Sequence, residues 1–461
     1  MFAVAAMLLS CGKVESLPRD EDKKPPAEPV YYDYIKNASF DQPLDTKRYS
    51  LEDIYNPYGE NTATDGWKYI GGWNDYNGEM FYAETEGVDG SPCLGLRSKT
   101  GTTTVDLIVA QVIEGLDPNK TYRVSAKVKV KNITGFGANI CSGNGYCSRS
   151  DVGIAGSSDS WETVSFDIDH APGGKALICL RLGYSGDSSA GTVYFDNVTI
   201  SNQSQLYVFE GEHVKISFDK SKLSASTDVV NEWVGNLDKM YVSYKDLFSG
   251  RMPFEGNKIR VRGMADFGAW AWAGYPILWN SAYISSELKL ISRGHWSFGI
   301  MHEMGHDFSS TTASMGTGNT SWNFNEELFA NFRMYLAIMK VPEATVFQTI
   351  DGKEYKFIGS GIGEMYKITY DKTLGAGLQG AGGDGIQYTF VRIAEKHGQE
   401  LFKKTFDYLY KLPKNEGPAG GSNWDKFNFF LDALNKYVGG GEDVRSTFSQ
   451  SDLNLIQAEL K

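Results

Sequence analysis

The chain has no apolar run long enough to cross a bilayer, no block of basic residues and no C-x-x-C pair. Each absence excludes a class of protein. The apolar N-terminal stretch Phe2 to Leu9 falls far short of the roughly 20 residues a spanning helix needs, so it reads as the core of a signal peptide. A net charge of −12 with no compensating basic stripe excludes nucleic acid as a partner, because phosphate neutralisation has no source. Of only five cysteines, Cys93, Cys141, Cys147 and Cys179 lie in one stretch without metal-ligand spacing. In an oxidising compartment they are able to form disulfides, and the pairing stays open. The glycine-rich "LGAGLQGAGGDG" at 374–385 lacks the Lys-Ser/Thr ending of a phosphate loop and reads as a flexible connection.

What is present points to two domains. A length of 461 residues, 41% of them hydrophobic and none in long single-residue tracts, is that of a globular chain with more than one core. Leu8-Leu9-Ser10-Cys11 resembles the lipobox of bacterial lipoproteins. That resemblance implies a signal segment over 1–11, a lipid on Cys11, an outer-membrane anchor and a place in the bacterial cell envelope. No Lys or Arg precedes the apolar run, so a plain secretory signal or a buried N-terminal strand stands beside that reading. Residues 12–30, with "SLPRDEDKKPPAEP", are rich in proline and charge and read as a solvated tether.

From 31 to 203 short runs such as "YRVSAKVKV", "WETVSFDI" and "GTVYFDNVTI" alternate apolar and polar residues between Gly, Asn, Asp and Ser. Period-two alternation at this spacing predicts an antiparallel β-sandwich of the jelly-roll kind. The stretch from "IKNASFD" to "GTVYFDNVTIS" resembles the jelly-roll carbohydrate-binding modules of bacterial glycanases. The resemblance implies glycan binding and a structural calcium at Asp196, although an Asp before a terminal strand also serves as a turn former. Sugar rings stack on exposed aromatics, which makes Trp67, Tyr69, Trp73 and Tyr76 of "DGWKYIGGWNDYNGEMFYAE" the candidate platform. The alternative is that Trp67 and Trp73 fill the sandwich core.

The chemistry-bearing motif is "GIMHEMGHDF" at 299–308. Four residues apart on a helix, His302 and His306 share a face and are close enough to hold one zinc ion. Glu303 beside the first is placed to act as general base and acid on water activated there. Trp296, Ile300, Met304 and Phe308 supply an apolar helix face, with Ser297 as its cap. Gly305 costs about 1 kcal/mol inside a helix, which is understandable where another segment comes close. A third ligand is sought in the next helical pattern, "SWNFNEELFANFRMYLAIMK". Glu327 lies on the edge shared with Asn331 and Met334, next to the apolar row Leu328, Phe332 and Tyr335, so it faces the interior and is the better ligand. Asn331 then steadies a ligand by hydrogen bonding. Glu326 falls nearer the solvated edge and reads as a partner of the helix dipole. His170, His213, His295 and His397 lack partners at ligand spacing and read as structural.

"WAGYPILW" at 272–279, "HEMGH" at 302–306 and "EELFAN" at 326–331 resemble the enhancin-like gluzincin metallopeptidases of family M-sixty, and "GDGIQYTFVRIAEKHGQELFKKTFDYLY" at 383–410 resembles their C-terminal helical region. The resemblance implies an α+β zincin domain over 204–461 ending in helices, with Glu327 as a zinc ligand. It also implies hydrolysis of mucin-type, O-glycosylated proteins. Tyr388 is a candidate donor to the developing oxyanion, with a core role as its alternative. The rival reading of the whole chain is a surface glycan-binding protein without turnover.

Overall fold

The structure is a computed structural model that describes residues 28–55, 66–100, 103–143, 148–150, 153–184, 186–265, 267–309, 315, 318–380, 382–418 and 420–461. The signal segment with Cys11, the tether up to residue 27 and Cys147 lie outside the described residues.

After a single helical turn, α1 (Leu51–Ile54), the first half is built of strands. They are β1 (Lys68–Gly71), β2 (Gly78–Ala83), β3 (Cys93–Ser98), β4 (Leu107–Glu114), β5 (Tyr122–Ser142), β6 (Ser148–Arg149), β7 (Ile154–Gly156), β8 (Glu162–Ile168), β9 (Lys175–Leu182) and β10 (Ala190–Ser201). The alternation seen in the sequence sets their faces: Tyr122, Val124, Ala126, Val128 and Val130 of β5 are buried, while Lys127 and Lys129 between them turn outward. One sheet runs β8-β5-β10-β3-β2 and the other β1-β4-β9-β5, every pair antiparallel. Long β5 belongs to both. It changes sheets where Gly135 and Gly137 take φ of 77° and 100°, and a Cβ there would run into Ser188 and Ile154 carbonyl oxygens at 2.1 and 2.3 Å. The result is an antiparallel sandwich with its own apolar core, as the period-two pattern predicts. Cys93, Cys141 and Cys179 are buried free thiols, so the described cysteines form no disulfide even though Cys141 stands opposite Cys179 in register.

Four residues after β10 a second sheet begins. The hairpin β11 (Leu206–Glu210) and β12 (Val214–Asp219) leads into α2 (Thr227–Leu247), then β13 (Ile259–Met264), β14 (Ala271–Trp272) and β15 (Ile277–Asn280). Its order is β11-β12-β13-β15-β14, with β12, β13 and β15 parallel and β14 antiparallel at the edge. Val230, Trp233, Val234, Leu237, Met240, Tyr241 and Tyr244 recur at helical spacing on α2 and are buried against this sheet and the helices that follow. Those are α3 (Ser281–Ile291), α4 (Phe298–Asp307) and α5 (Glu326–Ile338), then, after the hairpin β16 (Thr345–Ile350) and β17 (Lys353–Ile358), α6 (Gly363–Lys372), α7 (Gly382–His397), α8 (Gln399–Lys411), α9 (Asn423–Asn435) and α10 (Gln450–Leu460). No helix of the described residues is long and apolar enough to cross a membrane.

The two halves meet through buried charge. Asp169, just after β8, accepts from Arg260 Nη2 at 3.0 Å and from the Ser217 hydroxyl, and Arg262 Nη1 lies 3.7 Å away. Arg262 also donates to the Asp167 carbonyl at 3.2 Å. Burial opposes ionisation of Asp169, but Arg260 and Arg262 outweigh it and hold the carboxyl far below the usual range.

Candidate metal centre

Two helices build the site. Ser297 caps α4 by accepting from the Ile300 amide, and Asn325 caps α5 by accepting from Leu328 at 3.0 Å. The helices touch where Gly305 lies under Ala330: an added Cβ would stand 2.6 Å from the Ala330 carbonyl oxygen. This close approach carries Glu327 over to the histidines. Gly305→Ala is expected to separate α4 from α5, lowering stability by about 2 kcal/mol, as read by thermal unfolding.

His302 Nε2 and His306 Nε2 are 3.0 Å apart, and Glu327 reaches them at 3.1 and 3.4 Å through its two oxygens. The remaining ring nitrogens point outward, His302 Nδ1 to Asn331 Oδ1 at 2.8 Å and His306 Nδ1 to Glu326 Oε1 at 3.3 Å. An amide oxygen accepts only, so His302 carries its proton on Nδ1 when neutral, and the same logic applies to His306 against a carboxylate. Both Nε2 atoms then offer lone pairs to each other and to a carboxylate. Three acceptors packed this closely repel one another unless a proton or a cation is shared among them. Ligands at about 2.0–2.1 Å from a tetrahedral zinc are roughly 3.3 Å apart, so the separations fit the ion. Among the described residues this is the one group of three such side chains whose ligand atoms converge, all within 4.8 Å.

Glu303 is buried next to the set and takes a hydrogen bond from the Ala273 amide, just beyond β14. Burial raises its carboxyl above the usual range against the pull of His302 and His306. Gly274 N–H, the next amide but one after β14, donates to Asp307 at 2.9 Å, so the edge strand is fastened alongside α4. A cavity of about 550 Å³ opens here, walled by Trp270, Phe298 and Phe347 and by Glu287, Gln348 and Glu303. Gly299 leaves room for Trp270, whose ring a Cβ would meet at 2.2 Å.

Several side chains stand elsewhere than the sequence suggests. Glu326 is no simple dipole partner: besides His306 it binds Arg333 Nη1 at 2.6 Å. His295 is buried in the cavity wall, its Nε2 lying 3.1 Å from Glu287 and 3.3 Å from the Phe298 amide while its Nδ1 accepts from the Phe347 amide at 2.9 Å. Neither Glu287 nor Phe347 has a helical spacing that sequence reading could find. Asp384, at the start of α7, lies within electrostatic reach of His302 and Glu327 and was not singled out from the sequence. Tyr388, one turn later, is partly buried beside the core, its ring 5.4 Å from that of Tyr370 and 5.5 Å from the Arg392 guanidinium.

In the sandwich the four aromatics separate. Trp67 is 3% exposed, packed on Phe40 and donating to the Asn37 carbonyl, and Tyr69 is likewise buried, so both belong to the core and not to a sugar platform. Trp73 and Tyr76 are 62% and 74% exposed on either side of the turn at Asp75. The Asp196 carboxylate is engaged as an acceptor, from Val88 N at 2.7 Å, Asn197 N at 2.7 Å and Ser91 Oγ at 3.3 Å, and so pins a turn.

No family model matches the chain, and no curated protein matches it. Solved structures resemble part of it. A structure titled for the structure and function of CBM4 is 24% identical, covering 37% of this chain and 99% of its own, with a TM-score of 0.25. TmCBM61 in complex with β-1,4-galactotriose is 14% identical over 37% of this chain and 98% of its own, with a TM-score of 0.23. A cyclase from Fischerella sp. TAU is 14% identical over 38% and 96%, with a TM-score of 0.26. The sugar-binding likenesses fall on the N-terminal sandwich. The centre formed by α4 and α5 stands on its own geometry.

Proposed function

We propose that the protein is a zinc-dependent peptidase that hydrolyses peptide bonds in glycoproteins, with mucin-type O-glycosylated chains as its substrates. The convergence of His302, His306 and Glu327 beside buried Glu303 carries this reading. His302, His306 and Glu327 would hold zinc, which supplies a Lewis acid for the scissile carbonyl and lowers the pKa of the attacking water. Glu303 takes the proton of that water and passes it to the leaving amine, and its raised affinity for a proton suits both halves of the transfer. Asn331 keeps His302 in the right tautomer. Strand β14 stands at the edge of its sheet, paired with β15 and close to α4, which suits an extended peptide laid along it as an added strand.

The cavity next to Glu303 combines aromatic walls with Glu287 and Gln348, the mixture that binds a sugar ring by stacking and hydroxyl pairing. Trp73 and Tyr76 offer a second, separate glycan platform on the sandwich. Substituting Trp73 by Ala is expected to weaken mucin retention several-fold in affinity electrophoresis while stability stays within about 0.5 kcal/mol, as for an exposed side chain. Anchoring through a lipid on Cys11 belongs to the same proposal and would keep the enzyme at a cell surface.

The test is incubation of zinc-loaded protein with an O-glycosylated mucin fragment and with the same fragment stripped of glycans, read by mass spectrometry. Cleavage of the glycosylated fragment alone is expected. Tight binding with no cleavage of either would instead favour a glycan-capturing surface protein.

A further inference from the structure

Two histidines of one motif are backed by unlike partners. His302 Nδ1 faces a neutral amide, Asn331 Oδ1, at 2.8 Å. His306 Nδ1 faces a carboxylate, Glu326 Oε1, at 3.3 Å. That carboxylate is fixed from several directions: Arg333 Nη1 and Nη2 reach its two oxygens at 2.6 and 3.3 Å, Ser309 Oγ lies 3.4 Å from Oε2, and the Asn323 side-chain amide donates to Oε2 as well. Arg333 is itself fully buried two turns further along α5, and its Nη1 also donates to the Gly305 carbonyl at 3.1 Å. A buried guanidinium is costly unless it is paired, so the arrangement has a purpose beyond surface solvation.

We infer that Glu326, held by Arg333, is the positioning residue of His306: it fixes the tautomer and the ring plane that turn Nε2 toward the metal. The inference rests on the proposed zinc site and deepens it. Hydrogen bonding of a ligating imidazole to a carboxylate strengthens the imidazole as a donor and locks its orientation. Arg333 contributes twice. It holds the Glu326 carboxylate in place, and through the Gly305 carbonyl it ties that carboxylate to the turn of α4 from which His306 projects. Glu326 acts through His306, the side chain its carboxylate faces.

The experiment compares full-length wild type with Glu326→Gln and Glu326→Asp. Zinc affinity is measured by chelator competition, the cobalt-substituted proteins are compared by their visible absorption, and kcat and KM are measured on the O-glycosylated mucin fragment. Glu326→Gln is expected to weaken zinc binding about 10- to 100-fold, shift the cobalt bands and lower kcat with KM little changed. Glu326→Asp, which keeps the charge on a shorter stem, is expected to recover part of each loss. A merely structural glutamate would lower the unfolding temperature of the metal-free protein and leave the cobalt bands of the folded fraction unmoved. Unchanged affinity, cobalt spectrum and kcat in Glu326→Gln would overturn the inference. Should that variant fail to fold, Glu326→Asp decides: a displaced cobalt spectrum supports the role, a wild-type one removes it. If the wild type binds neither zinc nor cobalt, it is the zinc-site reading that falls, an outcome distinct from wild-type metal binding with an indifferent Glu326.

Discussion

Glu303→Gln is expected to cut peptide hydrolysis by about a thousandfold or more while the protein still binds zinc with wild-type affinity. The amide fills the same buried space and adds no ligand to His302, His306 and Glu327, so the metal set is untouched. What disappears is a group that takes a proton from water and returns it to the leaving amine. General acid and base catalysis is worth about 10²–10⁴-fold for a positioned side chain, and a thousandfold loss corresponds to about 4 kcal/mol in the barrier. The loss should fall on kcat with KM nearly constant, because β14 and the Trp270 cavity, the surfaces proposed to hold substrate, are the same in either protein. Metal content by mass spectrometry and single-turnover cleavage of the glycosylated fragment measure both halves. A variant with wild-type turnover would remove Glu303 from the mechanism; loss of zinc along with activity would make it a structural residue.

Asp169→Ala is expected to destabilise the folded chain by about 3–5 kcal/mol. The carboxylate is the shared partner of Arg260 and Arg262, all three buried, and its removal leaves two guanidinium groups in a low-dielectric junction without their counter-charge. The effect reaches past one domain, because Asp169 belongs to the sandwich and both arginines to β13. Urea unfolding should show a lower midpoint, and limited proteolysis should find the 201–206 connection cut sooner in the variant. The pH dependence follows from the direction of the shift. Since the folded pKa lies below the unfolded value near 3.8, the contribution of Asp169 is fully present above the ordinary aspartate range and is lost as pH falls through the lower folded value. The stability gap between wild type and variant should therefore be flat from pH 7 to about pH 5 and close only in strong acid. A gap that closed between pH 7 and pH 5 would place the stabilisation elsewhere. His170 beside it has its pKa lowered to about 4 by burial and by Arg260, so it stays neutral over that window.

Much of this was legible in the chain. Alternation in "YRVSAKVKV" gives β5 its buried and outward faces because the strand period is two, and the spacing of His302, Glu303 and His306 gives one face of α4 because the helix period is 3.6. The same helical stepping placed Glu327 and Asn331 together on α5, and the structure brings both to His302. Glu326 was misread for an instructive reason. Its edge of the helix is solvated only if no other segment covers it, and the turn holding His306 and Ser309 does so. Trp67 and Trp73 differ in burial although both sit in one glycine-broken stretch, since their fates depend on which side of β1 packs against Phe40.

The sequence by itself determined the two kinds of architecture, the helix that carries the histidine pair and the carboxylate on the next helix, since each is a local periodicity fixed by backbone geometry. The tertiary structure alone decided what faces those residues: the His306 turn over Glu326, the Glu287 and His295 wall of the cavity, the Ala273 amide beyond the edge strand and the Asp169 junction. These pair positions 8 to 91 residues apart at no fixed spacing. Such partners are selected by burial, where an unpaired charge or amide costs more than any local preference can offset.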